Sequence, residues 1–383
     1  MGSIALGLRD LASGADTAPP AWDRLAHWPR FRARLALLAL GLLLLASALV
    51  PITAGPSEIP TPSAGEVLRG PDPATPAPVR DADLAFYDSV IERIAKGESY
   101  YDFIVEAQRA ANYPVRPGLA VRLPTLAYLD AWLGHSGQIA AAVILLLATL
   151  AAWWRRLGEE PGGEPHRLWK LAFLYVGISL GLNSYFFVLH ELWAGALLAL
   201  AFALHRPGRW GASLAVAALA LAIREQALPF VLLMGAMAVW RRDWREGAAW
   251  AALAALFLAA LTVHLQLVSA HTLPTDRLSD SWLALRGLSG ALSNIVLSSN
   301  LRFLPHWLAG PLVVVAMAGW AGWRSPAGTF GTFLFLGYAL AFAIAGRDNN
   351  FYWGLVIAPV LFMGFAFAPR ALASLGRAAL GKP

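Results

Sequence analysis

From Leu35 to Ala54 the chain runs for twenty residues without a charge. A helix of about twenty apolar residues crosses the hydrocarbon core of a bilayer. Similar runs recur to the end of the chain, at about 136–154, 170–188, 191–205, 211–223, 226–240, 247–267, 306–323, 327–346 and 353–369. In lipid every backbone N–H and C=O must be satisfied internally, so runs of this length are expected to be helices. Hydrophobic residues reach 58% and charged residues only 14%, against roughly 25% charged in an average soluble protein. A water-soluble enzyme is excluded on that balance, because it could not bury so much apolar surface. The expected class is an all-α polytopic membrane protein with about ten transmembrane helices.

The expected division has a tail over 1–34, a membrane domain over 35–370 and a second tail over 371–383. The first apolar run reads as a retained helix, although Ala46-Ser47-Ala48 also offers a small-residue cleavage site. A long first outer loop follows over 55–134. Eight prolines between 51 and 80 mark an extended linker. Beyond it Leu84, Phe86, Tyr87, Val90, Ile91 and Ile94 recur at helical spacing, with Asp88, Glu92, Arg93 and Lys96 mostly opposite and Gly97 at the end. That pattern predicts an amphipathic helix on the membrane surface. Residues 118–133 predict a short or half-inserted helix, and 268–305 a short loop.

Basic residues orient the chain. Under this topology 18 of the 30 Arg and Lys are cytoplasmic, and five lie on outer segments other than the first loop. Long loops translocate regardless of charge, so the bias predicts N-in and C-in. The net charge of +6 is thus a topological signal and calls for no nucleic acid. The absence of cysteine excludes disulfides and thiol chemistry.

Polar residues then collect at the outer helix ends. Asp81 and Asp83 open the amphipathic helix, as helix caps or as carboxylates able to take a proton from a hydroxyl. Glu191 stands in an outer turn beside His190. Arg224-Glu225 interrupts two apolar runs, an expensive place for charge, where an arginine can hold a phosphate through a forked pair of hydrogen bonds. Arg347-Asp348-Asn349-Asn350-Phe351-Tyr352 forms the last outer turn, and His271 lies near the same face. This grouping suits an amphiphile with an anionic head at the interface and a tail in lipid.

The order Asp83-Leu84-Ala85-Phe86-Tyr87, Ile91, Ala95, Gly97 and Tyr100-Tyr101 resembles the start of the first outer loop of GT-C fold glycosyltransferases, which include the aminoarabinose transferase and protein O-mannosyltransferase families. Tyr113-Pro114-Val115-Arg116-Pro117 and Arg122-Leu123-Pro124 are similar to their proline-rich entry into the second span. Arg224-Glu225 and Arg347 to Tyr352 are similar to later outer turns of those families. The resemblance implies transfer of a sugar from a polyprenyl-phosphate donor to a glycan, lipid or protein acceptor, with no metal or other cofactor. It implies Asp83, with Asp81 its close rival, as the base that deprotonates the acceptor. It implies Glu191 as a second acidic position, and Arg224, Glu225, Arg347, Arg116, Tyr87, Tyr352 and His271 as substrate-binding candidates. The chain lacks the soluble C-terminal domain of the larger members, and its 268–305 loop is short. An Ala-, Leu- and Arg-rich composition points to a bacterial cytoplasmic membrane with the site facing outward. Two other classes compete: a transporter or flippase of a lipid-linked or anionic solute, and a lipid-linked glycan ligase or polymerase. An inactive assembly subunit is a further reading.

Overall fold

The computed structural model describes residues 19–54 and 80–381. The described residues are helical and hold no strand, only three isolated β-bridges. Most of the expected Pro-rich linker and the ends of both tails lie outside them. Four helices are long and apolar enough to cross a membrane: α1 (Arg30–Leu49), the helical stretch ending in α4 (Thr125–Glu159), α9 (Trp244–Ser269) and α12 (Pro326–Ile344). A bent pair over Asp348–Ala366 makes a fifth if counted as one crossing. The other apolar helices are α6 (His190–Leu204), α7 (Gly211–Ile223), α8 (Leu228–Trp240), α10 (Gly287–Leu297) and α11 (His306–Gly322).

Residues 82–110 form α2 (Ala82–Ala95) and α3 (Tyr100–Ala110). As expected, α2 is amphipathic and buries Leu84, Val90 and Ile94. Gly97 follows it at φ +92°, a left-handed turn that costs glycine nothing. Helix α2 packs on the start of α4. Its neighbour α3 meets α9, where the Tyr101 hydroxyl lies 2.9 Å from His264 Nδ1. Helix α4 is kinked at Gly134 (φ +60°), which divides a short first piece from the long apolar one.

Helix α6 is apolar on every face, and every residue except Leu200 and Leu204 is buried. Such a helix belongs in the middle of a bundle. It packs against α4, α7 and the bent Asp348–Ala366 pair. That pair runs through a 3-10 stretch (Asp348–Val356), one turn of α13 (Ala358–Leu361) and a second 3-10 stretch (Phe362–Ala366), bent by 62°. Its neighbours approach it through glycine. A methyl group at Gly195 of α6 would strike the Leu355 carbonyl, and one at Gly319 of α11 the Gly364 carbonyl.

Several expectations need correction. The expected span over 170–188 stops early: α5 covers Arg167–Ile178 and gives way to 3-10 turns. The expected last span over 353–369 is the broken segment just described. The short loop expected over 268–305 contains α10, whose Gly290–Val296 stretch is buried. Its Ser, Gly and Asn content hides it from a search for membrane-length runs. Neither expected tail is free of the fold. From the first, buried Asp23 accepts hydrogen bonds from Arg370 Nε (2.8 Å) and Ser374 Oγ (2.5 Å). From the second, α14 (Ala368–Leu380) packs on α1 and α11, burying Ala371, Leu375, Ala378 and Ala379 at helical spacing.

Candidate functional site

One end of the bundle holds a cavity of about 470 Å³. Six sequence-selected residues line it: Asp83, Tyr87, Arg224, Glu225, Arg347 and Tyr352. They come from α2, the α7–α8 junction and the turn after α12, so the fold gathers residues more than 260 positions apart.

Local structure explains each placement. Asp83 is in the first turn of α2, where the helix dipole favours a carboxylate. Asp81 occupies the N-cap without a side-chain capping bond and does not line the cavity. Burial pushes the Asp81 carboxyl up, and neighbouring Asp83 adds to the rise against the pull of Arg80. Burial likewise raises the Tyr113 hydroxyl, and the nearby Asp83 carboxylate adds to the rise. Arg224 ends α7 as a single extended residue (φ −146°, ψ 122°) before the next helical turn. The helix thereby ends at a positive charge, at the negative end of the α7 dipole.

Glu191 lies beneath the cavity wall, fully buried in the first turn of α6. Its Oε1 is 2.7 Å from Arg224 Nη2 and 3.6 Å from Arg122 Nη1. Arg224 Nη1 also lies 2.6 Å from Glu225 Oε1. Two carboxylates therefore neutralise Arg224. Arg122 is held differently, by neutral groups: its Nε donates to the Tyr87 hydroxyl and its Nη2 to the Tyr352 hydroxyl, both at 3.1 Å. Among the described residues Arg347 has one carboxylate contact, a long one to exposed Asp280 (3.7 Å); its Nε donates to Asn350 Oδ1 (3.5 Å), and it faces Trp282. Of the four lining arginines, Arg122 and Arg347 thus make only long contacts to carboxylates, and Arg277, whose Nη1 donates to the Asn112 carbonyl (2.7 Å), makes none among the described residues.

Arg116 and His271 do not line the cavity. Arg116 Nη1 donates to the Pro274 carbonyl (2.6 Å), and the His271 carbonyl accepts from Arg109 Nη2 (3.0 Å). Both residues fasten the 109–116 segment to the 271–286 stretch. Arg122, quoted in the sequence only as part of a proline-rich motif, and Asp280, Trp282 and Trp353, which the sequence did not single out, also line the cavity. For Arg122 the available signal was a charge directly ahead of an apolar span. Asp280 and Trp282 carried none, since their position depends on a loop folding back. Among the described residues, no group of three or more His, Asp or Glu is placed to share a metal.

The 271–286 stretch is clipped down by Asp276, which takes Arg109 Nε at 2.5 Å, Nη2 at 3.0 Å and the Leu273 N–H at 2.7 Å. The Arg109 hydrogen bond and then the Leu273 amide hold its carboxyl down at about 2. A depressed carboxyl contributes stability above its unfolded value, about 4, and loses that contribution as pH falls through about 2. Asp276→Asn should therefore lower the melting temperature in detergent at pH 7, with the difference from the unsubstituted protein shrinking between pH 4 and pH 2. A difference that persists unchanged at pH 2 would count against this clip.

Comparison with protein-family models, with curated proteins and with solved structures finds no match to this chain.

Proposed function

We propose that this chain is a GT-C-like membrane glycosyltransferase that moves a sugar from a polyprenyl-phosphate donor to a glycan, lipid or protein acceptor. The observation that carries the reading is one cavity in which the Asp83 carboxylate shares a space with Arg122 and Arg347, at one end of an apolar bundle. In this reading the shorter apolar helices also cross, by tilt and local thinning of the bilayer. The chain then has about ten crossings, N-in and C-in, in a bacterial cytoplasmic membrane, with the cavity on the outer side.

The chemistry is one displacement. Asp83 accepts the proton of an acceptor hydroxyl as its oxygen forms a bond to the anomeric carbon. The bond from that carbon to the phosphate oxygen breaks, and the electron pair leaves with the lipid phosphate. Arg122 and Arg347 stabilise the departing anion, while Tyr87, Tyr352, Trp282 and Trp353 offer aromatic faces and hydrogen-bonding tips to the sugar. A single displacement inverts the anomeric centre. Glu191 is a positioning residue that holds Arg122 and Arg224 in place from below.

Binding of a polyprenyl monophosphate to purified protein tests this reading. Hydrogen bonds to a charged partner contribute about 1.5–3 kcal/mol, so Arg122→Gln and Arg347→Gln should each weaken binding about 10- to 150-fold. Failure of the unsubstituted protein to bind, or equal affinity in both variants, would remove the phosphate site from the proposal.

A further inference from the structure

The segment from Arg277 to Arg286 crosses between two parts of the molecule. At one end Ser279 N–H donates to the Arg116 carbonyl (2.6 Å). At the other, Gly346 N–H donates to the Trp282 carbonyl (2.7 Å), Ala284 N–H to Ile344 (3.1 Å) and Arg286 N–H to Ala343 (2.8 Å). It is a strap tied at both ends. Ser279, Asp280 and Trp282 line the cavity, whereas Leu283 and Leu285 do not and stand 78% and 88% exposed.

Two leucines so exposed are costly in water, at about 1.5–3 kcal/mol each relative to burial. Their surroundings show what receives them. Helix α12 is one of the four helices long enough to cross a membrane. Its Leu336, Leu340 and Ile344 are exposed at i, i+4 and i+8, a single stripe. The stripe ends at Ile344, the residue whose carbonyl takes the Ala284 N–H. Leu283 and Leu285 flank Ala284 and share one side of an extended segment. They therefore continue the α12 stripe past the helix end.

We propose that Leu283 and Leu285 are immersed in the acyl chains of the leaflet on the cavity side. The strap then separates lipid from cavity by the thickness of one extended chain. On the transferase reading, which this second step requires, it is the threshold over which a lipid-tailed substrate passes from the leaflet into the cavity.

The chain has no cysteine, so single spin labels can be placed without background. Leu283→Cys and Leu285→Cys, labelled and reconstituted in phosphatidylglycerol–phosphatidylethanolamine vesicles, should collide more with oxygen than with a water-soluble nickel chelate. They should match a label at Leu340→Cys and differ from one at exposed Asp102→Cys. Chelate-dominated collisions would overturn the immersion, and so would shielding from both reagents, the signature of a second copy on this face. The threshold role has its own readout. Leu283→Asp combined with Leu285→Asp should slow uptake of polyprenyl monophosphate from vesicles at least several-fold while the melting temperature holds. Uptake at the unsubstituted rate would overturn it. Lipid-reporting labels on a protein that binds no polyprenyl phosphate would leave the immersion standing and defeat the substrate reading instead.

Discussion

Replacing Asp83 by Asn should reduce sugar transfer by about 10²- to 10⁴-fold, the usual contribution of a positioned general base, with polyprenyl-phosphate binding and the melting temperature nearly unchanged. Asp83 is exposed to the cavity and holds up no buried network. Its contribution to stability is that of a carboxylate in a first helical turn, about 0.3–1 kcal/mol. Asn keeps the size, but it cannot take a proton from an acceptor. The parallel variant Asp81→Asn separates the two rivals, since Asp81 sits at the cap outside the cavity lining and should retain most activity. Radiolabelled-sugar transfer in proteoliposomes reads both. Full activity in Asp83→Asn with loss in Asp81→Asn would move the base to Asp81, and full activity in both would end the proposed mechanism.

The second large effect is structural. Glu191→Gln should destabilise the protein by about 3–5 kcal/mol, because removing one partner of a buried ion pair strands the other charge. Here two arginines lean on Glu191, at 2.7 and 3.6 Å. Glu225→Gln should cost much less, since that carboxylate is partly exposed and water can replace it. Melting in detergent measures the difference. Glu191→Leu with Arg224→Met should recover much of the loss, because an apolar pair of similar volume commonly matches a buried ion pair. A small loss in Glu191→Gln alone would show that Arg224 is already satisfied by Glu225.

The amphipathic helix and the charged junction were legible in the sequence for clear physical reasons. Apolar residues at helical spacing with Gly97 behind them leave one solution for 82–95. Arg224-Glu225 stands out because charge in an apolar stretch is expensive. Arg122 stayed hidden because its meaning depends on two tyrosines, 35 and 230 residues away, that reach it through the fold. The C-terminal helix was missed although Ala371, Leu375, Ala378 and Ala379 carry the right spacing. Small alanines on the buried side and arginines opposite gave it the look of a tail. The segment expected as a span over 353–369 is broken rather than straight. Its hydropathy is that of a membrane segment, but Gly354, Pro359 and Gly364 admit tight turns, and glycines on neighbouring helices leave the room for them.

The shortness of α6, α7, α8, α10 and α11 bears on how the chain enters a membrane at all. Each has 11 to 17 residues, below the roughly twenty that partition alone as a stable crossing. Helix α6 also brings His190 and Glu191 with it, and a carboxylate at the helix centre costs an insertion machinery about 2.5–3.5 kcal/mol, less toward the ends. These segments are poor clients for release into lipid one by one. On the proposed reading in which they cross, their insertion is collective: Glu191 meets Arg122 from the chain ahead of it, and its closer partner Arg224 follows some thirty residues later. On that reading the ion pair beneath the cavity closes only as the bundle assembles, and it ties the order of synthesis to the shape of the site.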